Sequence, residues 1–270
     1  SFKVQYDLSD DIMVYASASV AFKSGGFSES GTSDDLDGFS YDDEEALAFE
    51  LGSKMHILDG RGTLNLAIFQ TQYDDLQVSA FVGDKYVVGN AAEALSQGIE
   101  LDSVIRISEG LTFAASLAYL DASYNRFDNA ACTLAQIKDS GLTSKDCEQD
   151  LKGKPLAFAP EWTGNVSLNH TADLNNNLQL NSAFAISYTG EQYLAQDLDQ
   201  RVLEESHVML NGRIAVSDPG NGWELALVGK NLSDEVVRTY ANDVPLMDGA
   251  NFSYVAMPRT IAVQIVWNYQ

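Results

Sequence analysis

Apolar and polar residues alternate along most of this chain with a period of two, the repeat of a β-strand whose faces meet different surroundings. Phe2, Val4 and Tyr6 alternate with Lys3, Gln5 and Asp7. Ile12, Val14, Ala16, Ala18, Val20 and Phe22 alternate with Met13, Tyr15, Ser17, Ser19 and Ala21. The pattern returns at Leu47–Leu51, Leu64–Ile68, Ile99–Ile107, Leu111–Tyr119, Trp162–Leu168, Leu178–Ile186, Val208–Val216 and Trp223–Leu227. It closes with Ile261, Val263, Ile265, Trp267 and Tyr269 set against Ala262, Gln264, Val266 and Asn268.

The connections follow a rhythm of their own. Short turns at Ser9-Asp10-Asp11, Asp59-Gly60, Glu109-Gly110, Asn175-Asn176-Asn177 and Asp218-Pro219-Gly220-Asn221-Gly222 alternate with long loops over 24–43, 81–94, 127–155, 189–205 and 233–258. Short turns on one side, long loops on the other and about eleven strands of bilayer-crossing length predict an all-β fold, a transmembrane antiparallel β-barrel. A soluble sandwich also alternates, but it accounts for neither the rhythm nor the strand length. Trp162, Trp223 and Trp267 read as an aromatic girdle near the short turns. An odd count of about eleven strands, with the first and last running the same way, leads us to expect a piece of a larger meander.

Composition changes the picture little. The chain is 45% hydrophobic and its mean hydropathy is −0.13, but a barrel wall hides its apolar residues in alternation. No apolar run reaches the ~18 residues of a membrane-spanning helix. Sixteen Lys and Arg against 39 Asp and Glu give a net charge of −23, which disfavours nucleic acid as a partner. Asp34, Asp35, Asp37, Asp42, Asp43, Glu44 and Glu45 crowd one segment, read as a solvated loop whose spacing matches no calcium loop. Cys132 and Cys147 stand close together with no further metal ligand nearby, which points to a loop disulfide and an oxidising compartment. His56, His170 and His207 are scattered. No nucleophile elbow, zinc-helix motif or phosphate loop is present, so neither catalytic residues nor a cofactor or metal site is assigned.

Several strings, in order, resemble TonB-dependent outer-membrane receptors: Phe22-Lys23-Ser24-Gly25-Gly26-Phe27, Glu50-Leu51-Gly52-Ser53-Lys54, Tyr73-Asp74-Asp75-Leu76-Gln77, Asn90-Ala91-Ala92 and Gln97-Gly98-Ile99-Glu100. Ala159-Pro160-Glu161-Trp162, Gly229-Lys230-Asn231-Leu232-Ser233-Asp234-Glu235 and Pro258-Arg259-Thr260 continue the series. Together they cover essentially the whole chain. The resemblance implies that residues 1–270 are the C-terminal part of a barrel of about 22 strands, with the plug domain and first barrel half lying outside this sequence. It implies residence in a bacterial outer membrane among lipid and lipopolysaccharide, with the C-terminus periplasmic and the long loops extracellular. It implies uptake of a small-molecule ligand, a ferric siderophore first, powered by TonB through an N-terminal region absent here. Haem, cobalamin and glycans are the other cargoes it allows. The rival reading is a non-transporting barrel that presents loops at the cell surface. The chain departs from the family in ending on Tyr269-Gln270 rather than on an aromatic residue.

Within that frame Phe27, Tyr193, Arg238, Tyr240, Phe252 and Tyr254 are the loop positions suited to an aromatic or cyclic ligand. Tyr73-Asp74-Asp75, Asn90 and Asn231-Leu232 read as structure at the barrel rim. Glu50, Lys54, Glu100, Asp102, Arg106 and Arg213 are expected to face the lumen, paired with one another or against a plug.

Overall fold

A computed structural model describes residues 1–28, 40–82, 85–143, 146–174, 177–244, 247 and 250–268. The Asn175-Asn176 turn, Asp34, Asp35, Asp37, Tyr269 and Gln270 lie outside the described residues. One antiparallel meander of eleven strands, each paired with its chain neighbours, dominates the molecule. The strands are β1 (Phe2–Ser9), β2 (Ile12–Lys23), β3 (Glu44–Ile57), β4 (Gly62–Val82), β5 (Lys85–Ser108) and β6 (Leu111–Arg126). They continue as β7 (Trp162–Asp173), β8 (Gln179–Thr189), β9 (His207–Asp218), β10 (Trp223–Lys230) and β11 (Thr260–Trp267). The sheet is not closed: β1 and β11 form its two edges. Among the described residues no helix is long and apolar enough to cross a membrane.

Register converts the alternation into two surfaces, because directly paired residues share a face. One row runs Ala16, Leu51, Ile68, Ile99, Tyr119, Trp162 across six strands. A second runs Leu64, Ser103, Ala115, Val166, Ile186, Leu210. The large side chains of this face are exposed, Leu51 by 59% and Ile186 by 50%, which is tolerable only against a non-aqueous neighbour. The opposite face carries Lys54, Asn65, Asp102, Ser116, Asn165, Ser187 and Met209 in one row. There Arg213 reaches Glu224 at 2.5 Å across a buried row of Ala215 and Ala226. Lys54, Glu100, Asp102 and Arg106 lie on this polar face and form no ion pair among the described residues.

The wall departs from what the sequence predicts in two places. The loop expected over 81–94 is instead a β-hairpin, for β4 runs to Val82 and β5 starts at Lys85. Gly89, Asn90 and Ala92 weaken the alternation there. Bulges near Tyr73 and Leu76, with Asp75 at φ 54°, shift the register without ending the pairing. Trp162 does not sit near a short turn: it opens β7 after the longest loop and pairs with Tyr119, ring centroids 4.9 Å apart. Trp223 and Trp267 do face each other at the short-turn end. The apolar face is thus bracketed by aromatics at both ends, with the polar row Gln70, Gln97, Asp121 immediately beyond Tyr119. On β7, from Trp162 to Ala172, the bracketed height is roughly 25 Å at a barrel's usual tilt.

Candidate functional site

Beyond the loop end of the wall, long-range side-chain bonds join the connections into one layer. Its first knot ties both ends of the β2–β3 loop to the β4–β5 hairpin. Gln77 Nε2 donates to the carbonyls of Ser24 (3.1 Å) and Asp42 (3.0 Å). Asn90 Nδ2 donates to the carbonyls of Asp42 (2.9 Å) and Asp75 (2.8 Å), and its Oδ1 accepts from the Asp42 N–H. Asp43 accepts from the Gly25 N–H, and Glu44 from the Gln77 N–H and Lys23. These acids, expected as plain solvated loop, are structural acceptors. A side chain at Gly25 would strike the Tyr41 carbonyl, which explains the glycine there.

The β6–β7 loop supplies the second part. Cys132 and Cys147 are disulfide-bonded, Cα atoms 5.7 Å apart. They enclose a short helix, α1 (Leu134–Ser140), opened by a Thr133/Gln136 capping box and closed by Gly141 in the left-handed conformation. That helix is absent from our reading of the sequence, although Thr-x-x-Gln followed by Gly is its signal. Val78, Ala92, Ala94, Tyr124, Phe127, Ala130, Leu151 and Leu198, which join this loop to β4, β5, β6 and the β8–β9 loop, form a buried core, with Tyr193 packed at its margin.

The third part joins the β8–β9 and β10–β11 loops. Leu194, Ala195 and Val202 of the former pack on Ala241 of the latter, which lies in a hairpin of Arg238–Asp243 paired with Asn251–Val255. Arg238 Nε meets Glu204 Oε2 at 2.7 Å, and its guanidinium also donates to the Arg201 and Leu203 carbonyls. Nearby, the carboxylates of Asp197, Asp199 and Asp243 lie within 4.8 Å of one another. Arg201 bonds Asp199 and reaches Asp243 at 3.7 Å. Burial, then the charge of Asp243, pushes the Asp197 carboxyl up to about 7. Burial would raise Asp199 too, but its bonds to Arg201 hold it below the usual range. Asp243 is raised by burial and then by Asp199. The Asp197-Leu198-Asp199-Gln200-Arg201 run is visible in the sequence, but its meeting with Asp243 is not.

The hairpin's other face is aromatic. Tyr240 lies 5.9 Å from both Phe252 and Tyr254, ring centre to ring centre, and stacks within 3° of parallel on Phe158 at 6.2 Å. Three candidates, Tyr240, Phe252 and Tyr254, therefore come together. Phe158, which sequence reasoning missed, completes the set; an aromatic in the Ala157–Pro160 loop was its faint signal. The other candidates have partners of their own, and Tyr193 meets the cluster through its carbonyl, which accepts from the Phe158 N–H at 2.9 Å. Arg238 is turned to Glu204, Tyr193 bonds Gln200, and Phe27 lies in the small ladder Gly26–Phe27/Ser40–Tyr41. Asn231 is buried at φ 50°, with its side chain bonding the Glu235 N–H and the Glu235 and Met257 carbonyls, so it shapes the rim.

A family model described as TonB-dependent receptor-like, β-barrel matches residues 1–232. The metal-pseudopaline receptor CntO of Pseudomonas aeruginosa is 32% identical over 128 residues, 47% of this chain and 17% of that protein. The pesticin receptor of Yersinia pestis is 24% identical over 265 residues, 96% of this chain and 34% of that protein. Among solved structures, the ferric yersiniabactin uptake receptor FyuA from Yersinia pestis superposes with a TM-score of 0.77 at 19% identity, over 99% of this chain and 37% of that one. The chain thus spans about a third, or less, of the length of these relatives.

Proposed function

The chain belongs to the TonB-dependent receptor-like β-barrel family, a family of receptors rather than enzymes, and on that premise we propose that it is the C-terminal part of the barrel of an outer-membrane receptor that takes up a ferric siderophore. In this reading the apolar face meets lipid and lipopolysaccharide acyl chains, and the polar face lines the lumen. The long loops are extracellular, the C-terminus is periplasmic, and TonB acts through an N-terminal region beyond this sequence. The observation that carries the ligand reading is the cluster of Phe158, Tyr240, Phe252 and Tyr254, held over a packed loop layer. Clustered rings offer stacking surface to a planar or aromatic chelator. The names of the relatives, which concern siderophore and metal receptors, favour an iron chelate over haem, cobalamin or a glycan.

The test is made in the organism that carries the full-length gene. Deleting it is expected to impair growth under iron limitation with one siderophore as sole iron source. Plasmid-borne receptor should restore growth only where TonB is present. The Tyr240→Ala receptor should need about tenfold more siderophore, the loss of one or two ring contacts. Growth that is indifferent to the receptor with every siderophore and iron chelate tried would overturn the proposal.

A further inference from the structure

The carboxylate cluster joins two loops that are otherwise separate in sequence. Asp197, Asp199 and Arg201 come from the β8–β9 loop, and Asp243 comes from the hairpin that carries Tyr240, Phe252 and Tyr254. Everything charged that faces Asp197 in the described residues is in this group: Asp199 and Arg201 from its own loop and Asp243 from the hairpin. The β6–β7 loop contributes only a neutral contact, Gln149 Nε2 donating to the Asp197 carbonyl at 2.8 Å. Asn251 Nδ2 bonds Asp243 at 2.7 Å, and Arg238 is already engaged by Glu204. Asp248 lies outside the described residues. Three ionised carboxylates around one guanidinium would leave an uncompensated charge in a half-buried seam, which is costly.

We propose that this seam is a proton-operated clasp: the hairpin stays docked on the β8–β9 loop while the three carboxylates share one proton and Arg201, and it loosens when that proton leaves. Ala241 and Tyr240 are neighbours on one strand and project from opposite faces. Lifting Ala241 from Leu194, Ala195 and Val202 therefore also disturbs the contact of Tyr240 with Phe158, because both faces belong to the same strand. The direction of the pH effect follows from the raised affinity of Asp197 for its proton. Below about pH 4 the carboxyl is protonated whether the loops are docked or not. Between there and about 7 only the docked form keeps the proton, so docking weakens as pH rises through that window and levels off above it.

The experiment is hydrogen exchange on the ligand-free, full-length receptor in lipid nanodiscs at about pH 5.5 and about pH 8.5, corrected for intrinsic rates. It reads loop opening and needs no assumption about cargo or transport. In the wild type, peptides covering 192–204 and 238–255 are expected to lose about tenfold protection at the higher pH, while β8 and β9 do not change. Asp197→Asn should stay protected at both values. Asp243→Asn, which removes the next carboxylate, should move the transition to lower pH. A wild type without pH dependence, or the same transition in both variants, would overturn the clasp.

Discussion

The wall and the loop layer of this chain are built by opposite rules. In the wall the large apolar residues are the exposed ones: Phe49, Leu51, Ile68, Phe184, Ile186 and Leu227 are each about half accessible or more. In the loop layer they are buried, with Leu194 and Val202 almost wholly removed from solvent and Tyr124, Phe127 and Leu151 close behind. One chain thus leaves its apolar residues exposed in one region, where the proposed function sets them against lipid, and packs them on other side chains in the next. The wall needs only parity to place a residue. The layer needs particular partners, which is where recognition can be built.

Breaking either rule should hurt one region and spare the other. The largest effect is expected from Ile186→Arg, which puts a charge on the exposed apolar face of β8. It should cost about 2–4 kcal/mol in a folding titration into bilayers, while Ser187→Arg, one residue along and facing the lumen, should cost far less. Removing the disulfide with Cys132→Ser and Cys147→Ser should cost the layer about 3 kcal/mol, from the entropy of a loop with a sequence separation of 15. Protease sensitivity confined to the β6–β7 loop, with an intact barrel band on a gel, is the expected signature. Asn231→Ala, at the seam between the regions, should cost about 1–3 kcal/mol, because it strands the Glu235 N–H and the Met257 carbonyl. A thermal melt that matches wild type would show that this buried polar group contributes nothing.

The same division explains what the sequence disclosed. The wall was legible because alternation reports a face residue by residue, and the short turns were marked by Asp, Asn and Gly. It failed at 81–94, where bulges let a strand continue through residues that look like loop, and at Trp162, whose end of the sheet depends on where a long loop stops. The layer was legible only where a contact is local, as in the Cys132–Cys147 pair. Gln77 and Asn90 were visible as family strings, but their common partner, the Asp42 carbonyl, lies 35 and 48 residues away. Arg238 was expected to face a ligand because it is a cation among aromatics. Its partner Glu204, 34 residues earlier, had no signature that would have linked the two.

One parity of each wall strand should face lipid and the other the lumen. Single cysteines along β8, from Leu180 to Tyr188 in the full-length receptor in native outer membranes, test it directly; Cys132 and Cys147 are already paired and silent. A lipid-soluble thiol reagent should modify positions 184, 186 and 188 and leave 183, 185 and 187 untouched. Equal modification of both sets, or the reverse parity, would contradict the account.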